Sequence, residues 1–429
     1  MNIEEILKKD NSEKLMILNE IILEAEKELI EEYIKIDKKT MQNSLKVQQA
    51  FKNNMVSEQH FNETTGYGYD DTGREVIDKV FRDVLGAEDA IARGQFISGS
   101  HALNVCLFGL LRPNDLLLSI SGVPYDTLQK VIGTKANNSS LISYGVKYEE
   151  IDLIDSKFDI DKIITRIKDE KKQKPKVIAI QKSKGYSTRK TLSNMQIAEI
   201  IKYIKEIDKN IIIMVDNCYG EFVEECEPVS YGADVIVGSL IKNLGGGIAP
   251  NGAYIAGKKE LVSLCADRLT VPGQGRGVGP TLGINKYILQ GLYHAPSVVG
   301  SSLKTAMFAS AVLEKMNIKV SPMSKEERYD IVQNILFENP EYLIRYVQGI
   351  QKGSAIGAYI LPVPSPMPGY DDEIIMASGS FVSGSSIEIS CDGPIRPPYI
   401  AYQQGSVTFE YGKIAVISAI KNLLEITEF

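Results

Sequence analysis

The sequence predicts an α/β protein: a large domain built on a mainly parallel sheet with helices on both faces, followed by a smaller α+β C-terminal domain. Three observations carry this expectation. Short, continuously apolar runs, "KVIAIQ" (176–181), "IIIMVD" (211–216) and "DVIVGSL" (234–240), are separated by amphipathic helical stretches, the pattern of strands buried on both faces. The chain has 429 residues, beyond the roughly 250 to 300 at which a single core stops growing. After about residue 305 the helix and strand alternation gives way to a different pattern.

The elements follow in order. Residues 3–37, "IEEILKKDNSEKLMILNEIILEAEKELIEEYIKID", repeat apolar residues at three- and four-residue spacing, which predicts helix. "HFNETTGYGYDDTGRE" (60–75) reads as an ordered loop. "REVIDKVFRDVLG" is amphipathic, "LLLSIS" (116–121) is a short apolar run, and "DIDKIITRIKDE" is helical. "SNMQIAEIIKYIKEID" is a helix that either Ser193 or Asn194 caps. Further on, "SSLKTAMFASAVLEKM" leads out of the large domain and "KEERYDIVQNILFENPEYLIRYVQGIQ" reads as helix. "AIGAYILPV", "EIIMASGSFV" and "SSIEIS" alternate like antiparallel strands, and "GKIAVISAIKNLLEITEF" closes as an amphipathic helix. The expected division is an N-terminal helical segment and connector over 1–65, a large domain over 66–305 and a small domain over 306–429.

Composition removes several function classes. Hydrophobic residues make up 44% and charged residues 24%, an ordinary globular balance. A formal charge of −7 gives no footprint for nucleic acid or an anionic membrane. The opening "MNIEEILKKDNSEKLMILNE" carries acids where a signal peptide has a basic region, and no run reaches the roughly 18 to 20 apolar residues of a membrane span. The expectation is a cytoplasmic protein. Five scattered cysteines (Cys106, Cys218, Cys226, Cys265, Cys391), no C-x-x-C pair and three histidines leave little for a metal site or a disulfide framework. Cys218 stands out because it lies beside an acid at a strand end.

In parallel sheets ligands bind outside the carboxyl ends of the strands, and four features collect there. Asp216 ends the run "IIIMVD"; it is either the cap of the turn "DNCYG" or a partnered carboxylate, since burying one alone is costly. Lys242 follows the next strand in "GSLIKNLGGG", with three glycines just beyond. Taken alone it is a loop lysine, but adjacent parallel strands place it across one crevice from Asp216. Ser98, Gly99 and Ser100 in "QFISGSHALNVCLFGLL" precede a helical run, so backbone N–H groups at a helix start form a phosphate cradle. Tyr125 in "SISGVPYDT" leaves just after a strand, as a packed aromatic or a ring-facing one. Cradle, carboxylate, aromatic and glycine-backed lysine match the needs of pyridoxal 5'-phosphate, whose ring is an electron sink.

These residues also carry a family resemblance. The order of cradle, aromatic, Asp216 and "GSLIK" resembles fold-type I pyridoxal-phosphate enzymes, with their seven-stranded sheet, and within them the cystathionine and methionine lyase group. "TGYGYDDTGRE", "SGSHAL", "IQKSKGYSTR", "VDNCYGEFVE", "GSLIKNLGGGIAPNGAYIAG" and "CDGPIRPPYIAYQQG" resemble the aluminium-resistance or methionine gamma-lyase branch, over roughly residues 65 to 405. The resemblance implies pyridoxal 5'-phosphate covalently bound to Lys242, with Asp216 as partner of the pyridine nitrogen. It implies phosphate contacts from Gly99, Ser100 and Ser239, and Tyr125 stacked on the ring and assisting proton transfer. It implies a homo-oligomer, a dimer of dimers, whose active sites are shared between subunits. The related lyases lend a Tyr-x-Arg pair to a neighbour's phosphate; here Tyr67 is followed by Tyr69 where arginine is expected, which makes Arg74 a substitute cation. Ile241 likewise stands where the relatives carry a hydroxyl residue.

An amino acid substrate needs a guanidinium for its carboxylate, because a planar fork grips both oxygens. Arg396 in "CDGPIRPP" is the first choice, with Arg276 in "GQGRGVGP" and Arg189 in "GYSTRK" behind it. The expected reaction is elimination from the β- or γ-carbon of a cystathionine- or methionine-type amino acid, with Lys242, its pKa lowered by desolvation, as the base. Two alternatives stay open. The same cofactor could serve γ-replacement or transamination, or the chain could be a non-catalytic relative that binds a ligand or partner.

Overall fold

The computed structural model describes residues 3–425. The chain divides into two compact units, Asn43–Tyr293 and Met1–Gln42 with His294–Phe429. The unit Asn43–Tyr293 carries a seven-stranded sheet of β1 (Asp89–Arg93), β2 (Leu116–Ser119), β3 (Lys147–Glu150), β4 (Val177–Gln181), β5 (Ile212–Asp216), β6 (Val235–Ser239) and β7 (Ala253–Gly257). Their order is β1-β7-β6-β5-β4-β2-β3. Only β7 runs against its neighbours; β2, β3, β4, β5 and β6 pair in parallel.

The predicted strands form where both alternating sets of side chains are buried. Met214, Val235, Val237 and Ile255 join one core cluster with Leu103, Leu107 and Cys265 of the helices Gly99–Leu110 and Lys259–Leu269. Ile178, Ile180, Ile213, Val215 and Ile236, on the other face, are equally buried. The helix Asn194–Ile207 starts at a capping box: Ser193 Oγ accepts from Gln196 N–H while Gln196 returns a bond to the backbone of Ser193. Of the two capping candidates, Ser193 is therefore the cap.

The other unit is built on a five-stranded antiparallel sheet, β8 (Lys319–Ser321), β9 (Gln333–Leu336), β10 (Ile374–Ser378), β11 (Ser390–Pro394) and β12 (Ile400–Gln404), in the order β10-β11-β12-β9-β8. Three local expectations change here, one being "SSIEIS" (385–390), which forms no strand before β11 begins at Ser390. The stretch read as one helix from 325 holds strand β9 and starts its helix only at Pro340, where Asn339 Oδ1 accepts from Glu341 N–H. "AIGAYILPV" forms no strand, because Gly357 turns with φ of 66° and Pro362 and Pro364 lack donors for a ladder. The closing helix is Phe409–Leu423, and positions 426–429 of that expectation lie outside the described residues.

The N-terminal residues also belong elsewhere than in a separate 1–65 segment. The helix Asn11–Asn53 inserts Leu18, Ile21, Ala25 and Leu29 into the same core as Phe308, Val312, Val347 and Ile420. Burying that stripe, rather than sequence position, assigns Met1–Gln42 to the unit of the C-terminal residues. Among the described residues no helix is long and apolar enough to cross a membrane. Leu29 is fully buried, so Leu29→Ala is expected to destabilise the protein by about 2 to 5 kcal/mol, read as a lowered denaturation midpoint at unchanged slope.

Candidate active site

Three parallel strands deliver the site to one edge of the sheet. Gln181 and Asp216 stand side by side at the ends of β4 and β5, and Asp216 pairs with Val237 of β6, which runs on to Ser239. Beyond β6 the chain turns sharply through Lys242 to Gly245, whose N–H donates to Lys242 O. A side chain at 245 is impossible, since a Cβ there would fall 1.5 Å from Leu240 O. The glycine therefore lets the lysine leave the strand in a turn tight enough to keep it over the sheet edge.

The Lys242 amine lies 4.0 Å from the centre of the Tyr219 ring, a cation–π contact. Withdrawal from water pulls its pKa down, yet Cys218, Tyr219, Asp216 and Tyr125 outweigh that and hold it well above the usual lysine range. The net direction is opposite to the lowering expected from desolvation alone. Tyr125 is pushed well above the ordinary phenol range by burial and by Asp216, so it is a neutral donor. The Cys218 thiol is likewise raised, by burial and by Asp216, which removes it as a thiolate nucleophile. Asp216 is 4% exposed and its Oδ1 accepts from Cys218 N–H at 3.1 Å.

The helix Gly99–Leu110 points its N-terminus at this group. Ser98 caps it, its hydroxyl accepting from His101 N–H. Ser100 Oγ is 3.0 Å from Tyr125 Oη. A Cβ placed on Gly99 would lie 3.1 Å from Ser239 Cβ and 3.8 Å from Cys218 Sγ, so the helix start, the end of β6 and the turn after β5 converge. Ser239 Oγ accepts from Ile241 N–H at 3.4 Å. A cradle of helix-start N–H groups and a hydroxyl, one carboxylate, one neutral phenol and one enclosed amine fit the donor set of a phosphorylated pyridine aldehyde.

Of the predicted residues, the structure thus gathers Lys242, Asp216, Tyr125, Ser98, Gly99, Ser100 and Ser239. Tyr67 and Tyr69 lie apart, stacked with ring centres 5.4 Å apart and 65% and 61% exposed. Their loop is ordered, as expected, because Arg74 donates to Gly68 O and Gly279 O while Gly279 N–H donates to Tyr67 O. That engagement buries Arg74 and takes it away from the role of substitute phosphate cation. Arg276 grips Asp89 with both terminal nitrogens, at the amino end of β1 and so at the opposite sheet edge. Arg189 donates to the carbonyls of Lys182, Gln181, Ser183 and Lys190, clamping the loop after β4. Arg396 belongs to the other unit, where it pairs with Asp372 at 2.6 Å and its side chain is 44% exposed.

Three further groups were not singled out from the sequence. Gln181 Oε1 accepts from Tyr125 N–H, tying the aromatic to the strand end beside Asp216. Tyr219 provides the ring beneath Lys242. Behind the lysine, Glu221 Oε1 accepts from Tyr254 Oη at 2.8 Å, Asn243 Nδ2 donates to Glu221 O, and Glu227 accepts from Asn217 Nδ2. The signal for the first two lies in quoted stretches, but nothing in spacing tells which side of a turn a ring faces.

Burial, with Glu227 adding to it, pushes Glu221 up to about 8. A carboxyl raised on folding binds its proton more tightly in the folded state, so its contribution is most favourable at low pH and declines as pH rises from about 4.5 to about 8. Glu221→Gln, which cannot ionise, is expected to flatten the fall in melting temperature across that window. An unchanged pH profile would show that Glu221 is not protonated there.

Comparison with known proteins follows the same line. A family profile described as methionine gamma-lyase matches residues 18–424. An uncharacterised protein of Bacillus subtilis (strain 168), YnbB, is 43% identical, covering 95% of this chain and 97% of its own. A solved structure described as a carbon-sulfur lyase involved in aluminum resistance from Clostridium novyi NT is 41% identical, covers 96% of both chains and superposes with a TM-score of 0.90. The methionine gamma lyase CalE6 of Micromonospora echinospora, at 16% identity, 86% and 91% coverage and a TM-score of 0.57, shares the fold. The chain belongs to the methionine gamma-lyase family and is an enzyme of the lyase class.

Proposed function

We propose that this lyase uses pyridoxal 5'-phosphate, held through Lys242, to cleave a carbon–sulfur bond of a cystathionine- or methionine-type amino acid. The observation that supports it is the convergence of Lys242, Asp216, Tyr125 and the Gly99 helix start on one sheet edge. Substrate and water give a thiol, ammonia and a 2-oxo acid. When bound, the cofactor supplies an electron sink for the charge left at the substrate α-carbon.

The chain's own residues account for the rest. Gly99 and Ser100 N–H groups and Ser239 Oγ would hold the phosphate, with the partial positive charge of the helix start behind them. Asp216 would keep the pyridine nitrogen protonated. The Lys242 amine, once released from the cofactor and deprotonated, takes the proton from the substrate α-carbon; the neutral Tyr125 phenol can pass a proton toward the departing sulfur. Tyr67 and Tyr69, both exposed, would serve a neighbouring subunit in a homo-oligomer of shared sites. Arg189 and Arg276 already spend both terminal nitrogens on protein oxygens, which favours Arg396 for the substrate carboxylate.

Borohydride reduction in the presence of pyridoxal 5'-phosphate is expected to fix a pyridoxyl label on the Lys242 peptide, and Lys242→Ala to lose both the label and thiol release from a sulfur amino acid panel. Label on another lysine overturns the assignment; absence of any visible absorbance band with the cofactor overturns the reading itself. Arg396→Lys keeps the charge but loses the bidentate fork, so KM should rise at least tenfold with kcat changed less. An unaltered KM would move the carboxylate contact to another residue.

A further inference from the structure

A second lysine, Lys182, follows the last residue of β4 and is fully buried. Its N–H donates to Asp216 O at 3.1 Å, which fixes its backbone beside the end of β5. Its Nζ donates to Asn194 Oδ1 and to Glu224 Oε2, both at 2.7 Å, and Glu224 also accepts from Asn194 N–H at 3.0 Å. A buried ion pair seldom adds stability over apolar side chains of the same volume, so stability alone does not account for a lysine here. Its stem lies against Gly220: a Cβ there would fall 2.9 Å from Lys182 Cδ and Cε and 3.0 Å from Nζ.

Gly220 belongs to the turn after β5, where its N–H donates to Asn217 O and Val223 N–H donates to Gly220 O. Tyr219, one residue earlier, has a φ of 69°, a left-handed conformation that bulky side chains rarely adopt. Such a conformation persists where its surroundings over-determine it. Here it carries the Tyr219 ring to 4.0 Å from Lys242 Nζ. We infer that Lys182 is a positioning residue of the reaction: packed on Gly220 and tied to Asn194 and Glu224, it holds the Tyr219 ring against the Lys242 amine. The inference rests on the reading of Lys242 as the reacting amine. A lysine that takes a proton from the substrate α-carbon becomes an ammonium, and a ring face stabilises that form. Lys182 thus acts on proton transfer through the ring.

The test is a double-mutant cycle on the full chain, freed of carbonyl cofactors with hydroxylamine and labelled with acetic anhydride at one fixed alkaline pH. The acetylation rate of the Lys242 peptide is read by mass spectrometry. Tyr219→Leu is expected to raise that rate about threefold or more, because the ring's hold on the ammonium is lost, whereas Tyr219→Phe stays near the parent. Lys182→Met keeps a stem but loses both polar contacts; it should raise the rate similarly in the parent and leave it unchanged in the Tyr219→Leu chain. Gly220→Ala, whose Cβ displaces the Lys182 stem, is expected to reproduce Lys182→Met and carries the cycle if Lys182→Met does not fold. A rate unmoved by Tyr219→Leu or by the Lys182 and Gly220 variants, or effects that multiply in the double variant, would overturn the inference. Labelling needs no cofactor, so these outcomes are separate from the borohydride mapping, whose failure would remove Lys242 itself as the reacting amine.

Discussion

Enclosing one amine at the carboxyl edge of a parallel sheet is the constraint on which the rest of the site depends. A lysine withdrawn from water would discharge, and the structure prevents that with the Tyr219 ring 4.0 Å away and the carboxylate of Asp216 within electrostatic reach. Burial, with the same carboxylate adding to it, raises both the Tyr125 phenol and the Cys218 thiol. The result is a site that sets an enclosed amine, a carboxylate and a hydroxyl donor side by side.

The parallel sheet makes that arrangement cheap in geometry. Strands β4 and β5 end in register and β6 runs on past them to Ser239, so groups far apart in sequence share an edge without any long loop. What the sheet cannot supply is room, and glycine does. At Gly245 the backbone approaches Leu240 too closely for any side chain, and at Gly99 the helix start approaches Ser239 and Cys218. Both glycines bring a backbone to the edge, one to aim the lysine and one to present N–H groups.

Which parts were legible follows from what sequence patterns encode. β4, β5 and β6 were readable because continuous apolar runs between amphipathic helices have few other uses. Asp216, which ends β5, and Lys242, in the turn beyond β6, were readable for the same reason, since a charge at the end of a buried run demands a partner. β9 was hidden because "IVQNILF" fits helical spacing as well as a strand, and only its pairing with β12 decides. The arginines were the least legible. Arg276 and Arg189 lie in glycine-bearing loops, as a ligand-binding arginine would, yet their partners Asp89 and the Gln181 and Ser183 carbonyls are contacts that no spacing announces.

Ile241 shows how backbone can take over a side-chain task. Related lyases carry a hydroxyl residue before the lysine, so the resemblance implies that one phosphate contact is lost or replaced here. The turn that aims Lys242 also directs the N–H of Ile241 onto Ser239 Oγ. That bond uses one acceptor position of the Ser239 hydroxyl and leaves its hydrogen available for donation. An aliphatic residue is then acceptable at 241, because the position contributes through an atom that every residue except proline possesses.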